Sequence, residues 1–144
     1  MKKIVFSGVL LAALFCMVSC TKSTPTPAAN PNPIVGLWVG TFQIGDAASL
    51  GSFYYSFNLF SDSTIVQQGG ATSGLIYTAS GTWSLSKDSA FSATVSNTDL
   101  TQGVWVQHLT AKYDSTAGTL SQGVWSFTSG HAPQTGTFSL KRVQ

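Results

Sequence analysis

Beyond residue 33 the chain alternates apolar and polar side chains with a period of two, and clusters of Gly, Asp, Asn, Ser and Pro interrupt the alternation at short intervals. The pattern predicts eight strands, at about 34–44, 52–60, 64–68, 74–86, 90–96, 103–113, 119–127 and 135–143. The breaks fall at Gly45-Asp46, Ser61-Asp62-Ser63, Gly69-Gly70, Lys87-Asp88-Ser89, Asn97-Thr98-Asp99, Asp114 to Gly118 and Ser129-Gly130 to Pro133. These are residues that tolerate or prefer turn geometry. No helical periodicity runs through this part of the chain. Because every link is short, strands adjacent in sequence are expected to be adjacent in space. The expected fold is all-β, an eight-stranded antiparallel up-and-down barrel, whose closure removes the exposed edges of an open sheet.

Alternation sorts the faces. The inward set is Gly36, Trp38, Gly40, Phe42 and Ile44 on the first strand and Phe53, Tyr55, Phe57 and Leu59 on the second. The fourth strand offers Leu75, Tyr77, Ala79, Gly81, Trp83 and Leu85, and the sixth Trp105, Gln107, Leu109, Ala111 and Tyr113. Trp125 and Phe127 point inward from the seventh strand, and Phe138 and Leu140 from the eighth. Val35, Leu37 and Val39 fall on the outer face of the first strand, a candidate contact surface.

Strand direction then separates the two ends. If the first strand runs upward, Trp38, Trp83 and Arg142 lie low, whereas Phe53, Tyr55, Tyr77, Trp105 and Trp125 lie high. The upper connections, around 45–51, 69–73, 97–102 and 128–134, are longer than the lower ones. The upper end is therefore the expected mouth, with Tyr55, Tyr77, Trp105 and Trp125 as apolar walls and Gln107 as a polar contact. Trp105 and Trp125 end a near-repeat, LTQGVW at 100–105 and LSQGVW at 120–125. The repeat reads either as matched stacking rings or as two neighbouring strands packed in the same way.

The N-terminal part has another character. Lys2 and Lys3 precede an apolar stretch from Ile4 to Val18, broken only by Ser7 and Gly8, which has the organisation of a secretory leader. It ends in Met17, Val18, Ser19 and Cys20, which resembles the lipobox of bacterial lipoproteins. That resemblance implies a signal peptide over residues 1–19, removal before Cys20, and acylation of Cys20, with more than one chain giving stable membrane attachment. Thr21 in place of Asp resembles the sorting pattern of outer-membrane cargo, so the expected location is the cell envelope, lipid-anchored on the outer membrane and facing the periplasm. Residues 20–33, with four of the five prolines and no large apolar side chain, read as a semi-stiff tether. The barrel domain spans 34–144.

Charge follows from this division. The full chain carries +2, but Lys2 and Lys3 belong to the leader. The remainder has Lys22, Lys87, Lys112, Lys141 and Arg142 against five Asp and no Glu, hence no net charge and no basic patch for nucleic acid. The only other cysteine, Cys16, lies in the leader, so the domain is expected to hold by its core without a disulfide.

Candidate chemistry is sparse. Asp46, Asp62, Asp88, Asp99 and Asp114 all sit in or beside turns, where Asp bonds to local backbone. His108 falls on the outer face and His131 in a connection, so no metal-ligand set forms. There is no G-x-S-x-G elbow, phosphate loop or nucleophile paired with a base. No catalytic residue, metal or cofactor is assigned, and an enzyme is not expected.

Gly36, Leu37 and Trp38 match the G-x-W of lipocalins, and Arg142 on the last strand is of the kind that packs over that tryptophan in those proteins. The domain therefore resembles lipocalin-like barrels, and in strand number and size it also resembles avidins. The motif recurs as Gly81-Thr82-Trp83, and the C-terminal helix and disulfide common in lipocalins are missing. The resemblance implies a barrel whose base is closed by Gly36, Trp38, Trp83 and Arg142. Two functions fit: a membrane-anchored module taking a small hydrophobic or aromatic molecule, or a filled barrel serving envelope structure or contact with a protein or glycan.

Overall fold

The computed structural model describes residues 33–45, 51–70, 74, 76–97, 103–130 and 134–143. The leader, Cys20, the tether to residue 32, Asp46, Leu75, Asp99 and His131 lie outside them. The described chain forms eight strands: β1 (Gly36–Ile44), β2 (Phe53–Leu59), β3 (Thr64–Gly70), β4 (Ile76–Leu85), β5 (Ala90–Asn97), β6 (Trp105–Asp114), β7 (Thr119–Ser129) and β8 (Thr135–Arg142). Each pairs antiparallel with its sequence neighbours, and β8 returns to β1 to close the barrel. The closing seam runs from Trp38 opposite Arg142 to Ile44 opposite Gly136.

The expected parity holds along the strands. Trp38, Phe42, Tyr55, Phe57, Leu59, Ala79, Trp83, Leu109, Trp125, Phe138 and Leu140 are buried together. Between them lie Ile65 on β3 and Phe91, Ala93 and Val95 on β5, from strands for which no inward set was drawn. Each large ring buried in this way contributes on the order of 2 kcal/mol of transfer free energy.

Three local departures have physical causes. Gly69 and Gly70, expected to break the chain, instead extend β3 opposite Tyr77 and Ile76. The Tyr77 ring lies directly over Gly69, where any Cβ would collide with it, so the glycine makes room for a neighbour. Val35 does not continue an outer stripe with Leu37 and Val39, because it precedes β1. Gly36 takes a φ of 134°, which turns the preceding residues beneath the barrel, leaving Ile34 fully buried and Val35 packed against the core. Finally, β7 shifts register against β8 between Leu120 and Gly123, with Gln122 at φ 52°. This bulge brings Leu120 into the core, where simple alternation from Trp125 would place it outside.

Candidate functional site

The lower end is closed by tied-down side chains. Trp38 Nε1 donates to Ile34 O at 2.8 Å, and its ring meets Tyr113 edge-on at 5.9 Å. Trp83 Nε1 donates to Phe60 O at 3.2 Å while the ring stacks on Phe91. Arg142, opposite Trp38 in register, lies against Gly36 and donates from Nη2 to Val35 O at 2.8 Å. The two G-x-W tryptophans thus spend their only polar group on backbone carbonyls at this end, one in the segment before β1 and one in the turn after β2. Below Arg142 a hollow of ≈ 600 Å³ is lined by Pro33, Tyr113, Lys141 and the 115–118 turn, which places the described start of the chain at this end.

From the base upward the interior holds a run of touching rings. Trp83 meets Phe91, then Phe57 at 6.0 Å, Tyr55 at 4.9 Å and Phe42 at 5.0 Å. Phe42 meets Trp125 at 6.0 Å, and Phe127 sits between Trp125 and Trp105 at 5.4 and 5.3 Å. Trp105 ends the run edge-on to Tyr77 at 5.6 Å. Such edge contacts add about 0.5–1.5 kcal/mol each beyond burial. Ile44, Phe53, Tyr77 and Phe127 are only half-buried, and they ring the end of the barrel opposite Trp38.

Among these rings lies a buried polar cluster. Tyr55 Oη donates to Gln107 Oε1 at 3.0 Å, and Gln67 Nε2 donates to the same oxygen at 3.0 Å. Gln67 is fully buried and Gln107 nearly so. Gln67 Oε1 has no hydrogen-bond partner among the described residues. An orphaned acceptor of this kind costs about 1–3 kcal/mol, so it demands an explanation beyond packing. Burial raises the Tyr55 phenol well above its ordinary value, and the nearby Tyr77 adds to the effect. Burial also pushes Tyr77 up to about 12, against a smaller opposing contribution from the Gln67 amide beside it.

All five candidate ligand residues lie in the interior, but they play different parts. Tyr55 and Gln107 are bonded to each other, and Tyr77 and Trp105 touch. Trp125 is set apart: its Nε1 donates to Gln43 O at 3.0 Å, so its polar edge faces the wall. Only the second copy of the near-repeat lies wholly inside a strand, at the β7 bulge, while Gly103 of the first precedes β6 at φ 77°. The residue missed is Gln67. Alternation from Ile65 through the third strand would have placed it inward, but one of two adjacent Gln residues carries no apolar signal to mark its face.

On the outer face, His108 Nδ1 lies 3.5 Å from Thr94 Oγ1. Among the described residues no three His, Cys, Asp or Glu side chains gather as a metal site. Comparison with protein-family models, with curated proteins and with solved structures finds no match.

Proposed function

We propose that the chain is an exported lipoprotein, anchored by acylated Cys20 on the periplasmic side of the outer membrane, whose lipocalin-like barrel holds a small hydrophobic or aromatic molecule at the end away from the anchor. The observation that carries this reading is the Tyr55–Gln107–Gln67 cluster beneath the half-buried rings of Phe53, Tyr77 and Phe127. A few convergent polar groups among apolar walls are what orient a small ligand. A core selected for stability alone gains nothing from two buried amides. Pro33 lies at the Arg142 end of the barrel, which supports a binding end turned away from a membrane held through Cys20.

Native mass spectrometry of the protein extracted from its own envelope tests the binding reading. Co-purifying small molecule is expected, reduced in Trp105→Ala. Repeated recovery of the bare mass overturns it. Cys20→Ser tests the anchor, with the protein expected to move from the membrane to the soluble fraction; unchanged partitioning overturns that part.

A second reading is a filled barrel that serves envelope structure or contacts a protein or glycan. It is favoured by the unbroken run of rings and by the indole of Trp125, whose donor is already used by Gln43. On that reading Trp105→Ala lowers stability and changes no ligand.

A further inference from the structure

Three large apolar side chains are exposed side by side at the lower end: Leu37 is 43%, Phe60 40% and Val143 48% exposed. Val143 N donates to Leu37 O at 2.8 Å, which carries the β1–β8 register one step below Trp38 opposite Arg142. On its other side Leu37 stands opposite Asn58 of β2, and Phe60 follows two residues further down. All three alternate with inward positions, Trp38, Leu59 and Arg142, so they point outward together. The other exposed large apolar residues among those described are Tyr54, Ile76, Val104 and Val124, and no two of these stand opposite each other in register. Single exposed apolar residues need no explanation, whereas a contiguous set does.

Where the chain enters the barrel indicates what covers the set. Pro33, Lys141 and Val143 line one hollow, so the segment that leads from Cys20 arrives beside the exposed residues. Residues 21–32 separate Cys20 from Pro33. That length reaches at most about 40 Å even when fully extended. An anchor at Cys20 therefore holds the barrel near its membrane at a high effective concentration, and a face too weak to hold a free protein suffices there.

The charges around the set agree with such a contact. Lys141, opposite Val39 and two residues from Val143, is exposed on the same outer face. Its stem can lie along apolar neighbours while the ammonium reaches lipid phosphates. The nearest acids are engaged within their own turns. Asp62 Oδ1 accepts from Thr64 N and Oγ1, and Asp114 Oδ1 accepts from Thr116 N and Ala117 N.

Building on the anchored reading above, we propose that Leu37, Phe60 and Val143 are the face on which the barrel rests against the bilayer that holds Cys20. The three side chains enter the boundary between headgroups and acyl chains, and Lys141 meets the phosphates.

Spin labels test the contact in the full protein. With the leader removed and the Cys20 sulfur acylated, an introduced cysteine is the sole free thiol. Leu37→Cys, Val143→Cys and, at the opposite end, Ile76→Cys are labelled in protein extracted from its own envelope. Each is then placed in vesicles of phosphatidylethanolamine with a minority of phosphatidylglycerol. All three positions are exposed, so the labels fit without disturbing the core. The ratio of oxygen to nickel-complex accessibility should be several-fold higher at 37 and 143 than at 76. Adding Leu37→Ser and Phe60→Ser to the chain labelled at 143 should return that label towards water, whereas adding Ile76→Ser should leave it in place. Labels at 37 and 143 that meet the nickel complex as freely as the one at 76 overturn the proposal, as does a label at 143 that the double serine variant leaves unmoved. Shielding present in isolated envelopes and lost in pure lipid vesicles assigns the face to a protein and also overturns it. If the extracted chain carries no acyl mass or does not stay with the vesicles, the anchored reading itself falls and takes the proposal with it; a chain that stays with the vesicles while its labels face water sinks the proposal alone.

Discussion

Tyr55 on β2 and Gln107 on β6 are joined across the interior by a 3.0 Å hydrogen bond from phenol to amide oxygen. The strands that carry them are not neighbours in the sheet, so this bond ties opposite walls together. Because Gln67 donates to the same oxygen, the two partners are unequal. Tyr55→Phe removes one donor and leaves the oxygen satisfied, which should cost about 1 kcal/mol. Gln107→Leu strands both donors and should cost about 2–4 kcal/mol. Urea unfolding of the two variants checks the order, and equal losses would show that the shared acceptor is unimportant.

Two buried phenols contribute to stability at alkaline pH. Tyr55 and Tyr77 stay neutral in the fold above their ordinary value of 10.0, Tyr77 to about 12. Past pH 10 the unfolded chain therefore binds fewer protons than the folded one, so stability falls as pH rises and these phenols add no slope below that range. For Tyr77 the displacement corresponds to about 3 kcal/mol by the time its folded value is passed. Urea midpoints followed from pH 9 to 12 should decline steadily, and Tyr77→Phe should flatten the decline.

Gly136 lies between Ile44 of β1 and Trp125 of β7. A Cβ there would strike Gln43 O and come within 2.5 Å of Trp125 Nε1, the two atoms joined by the indole hydrogen bond. Gly136→Ala should therefore cost about 1–3 kcal/mol and shift tryptophan emission. Gly70→Ala serves as the control. Its Cβ would make ordinary contacts, at 3.5 Å from Tyr54 Cβ, and thermal melting should hardly change.

The strand plan was legible in the sequence because each side of the wall carries its own period-two signal. Trp105, Gln107, Leu109, Ala111 and Tyr113 read as one face, and all five are buried. What alternation could not carry is whatever breaks its count. Leu120 lies on the far side of the Gln122 bulge, so the parity drawn from Trp125 fails there. Gln67 is a different case: its parity was readable from Ile65, but its importance comes from Gln107, which lies three strands away on β6.

The seam between β1 and β8 joins the earliest strand of the domain to the latest. A chain made from its N-terminus exposes an unpaired β1 edge until its final residues exist, so the barrel cannot be assembled piecemeal during synthesis. Ring closure depends on contacts of maximal sequence separation, which slows folding and lengthens the period in which loose edges can recruit other chains. The last few residues, from Gly136 to Arg142, thereby decide whether the molecule ends as a closed ring or as an adhesive sheet.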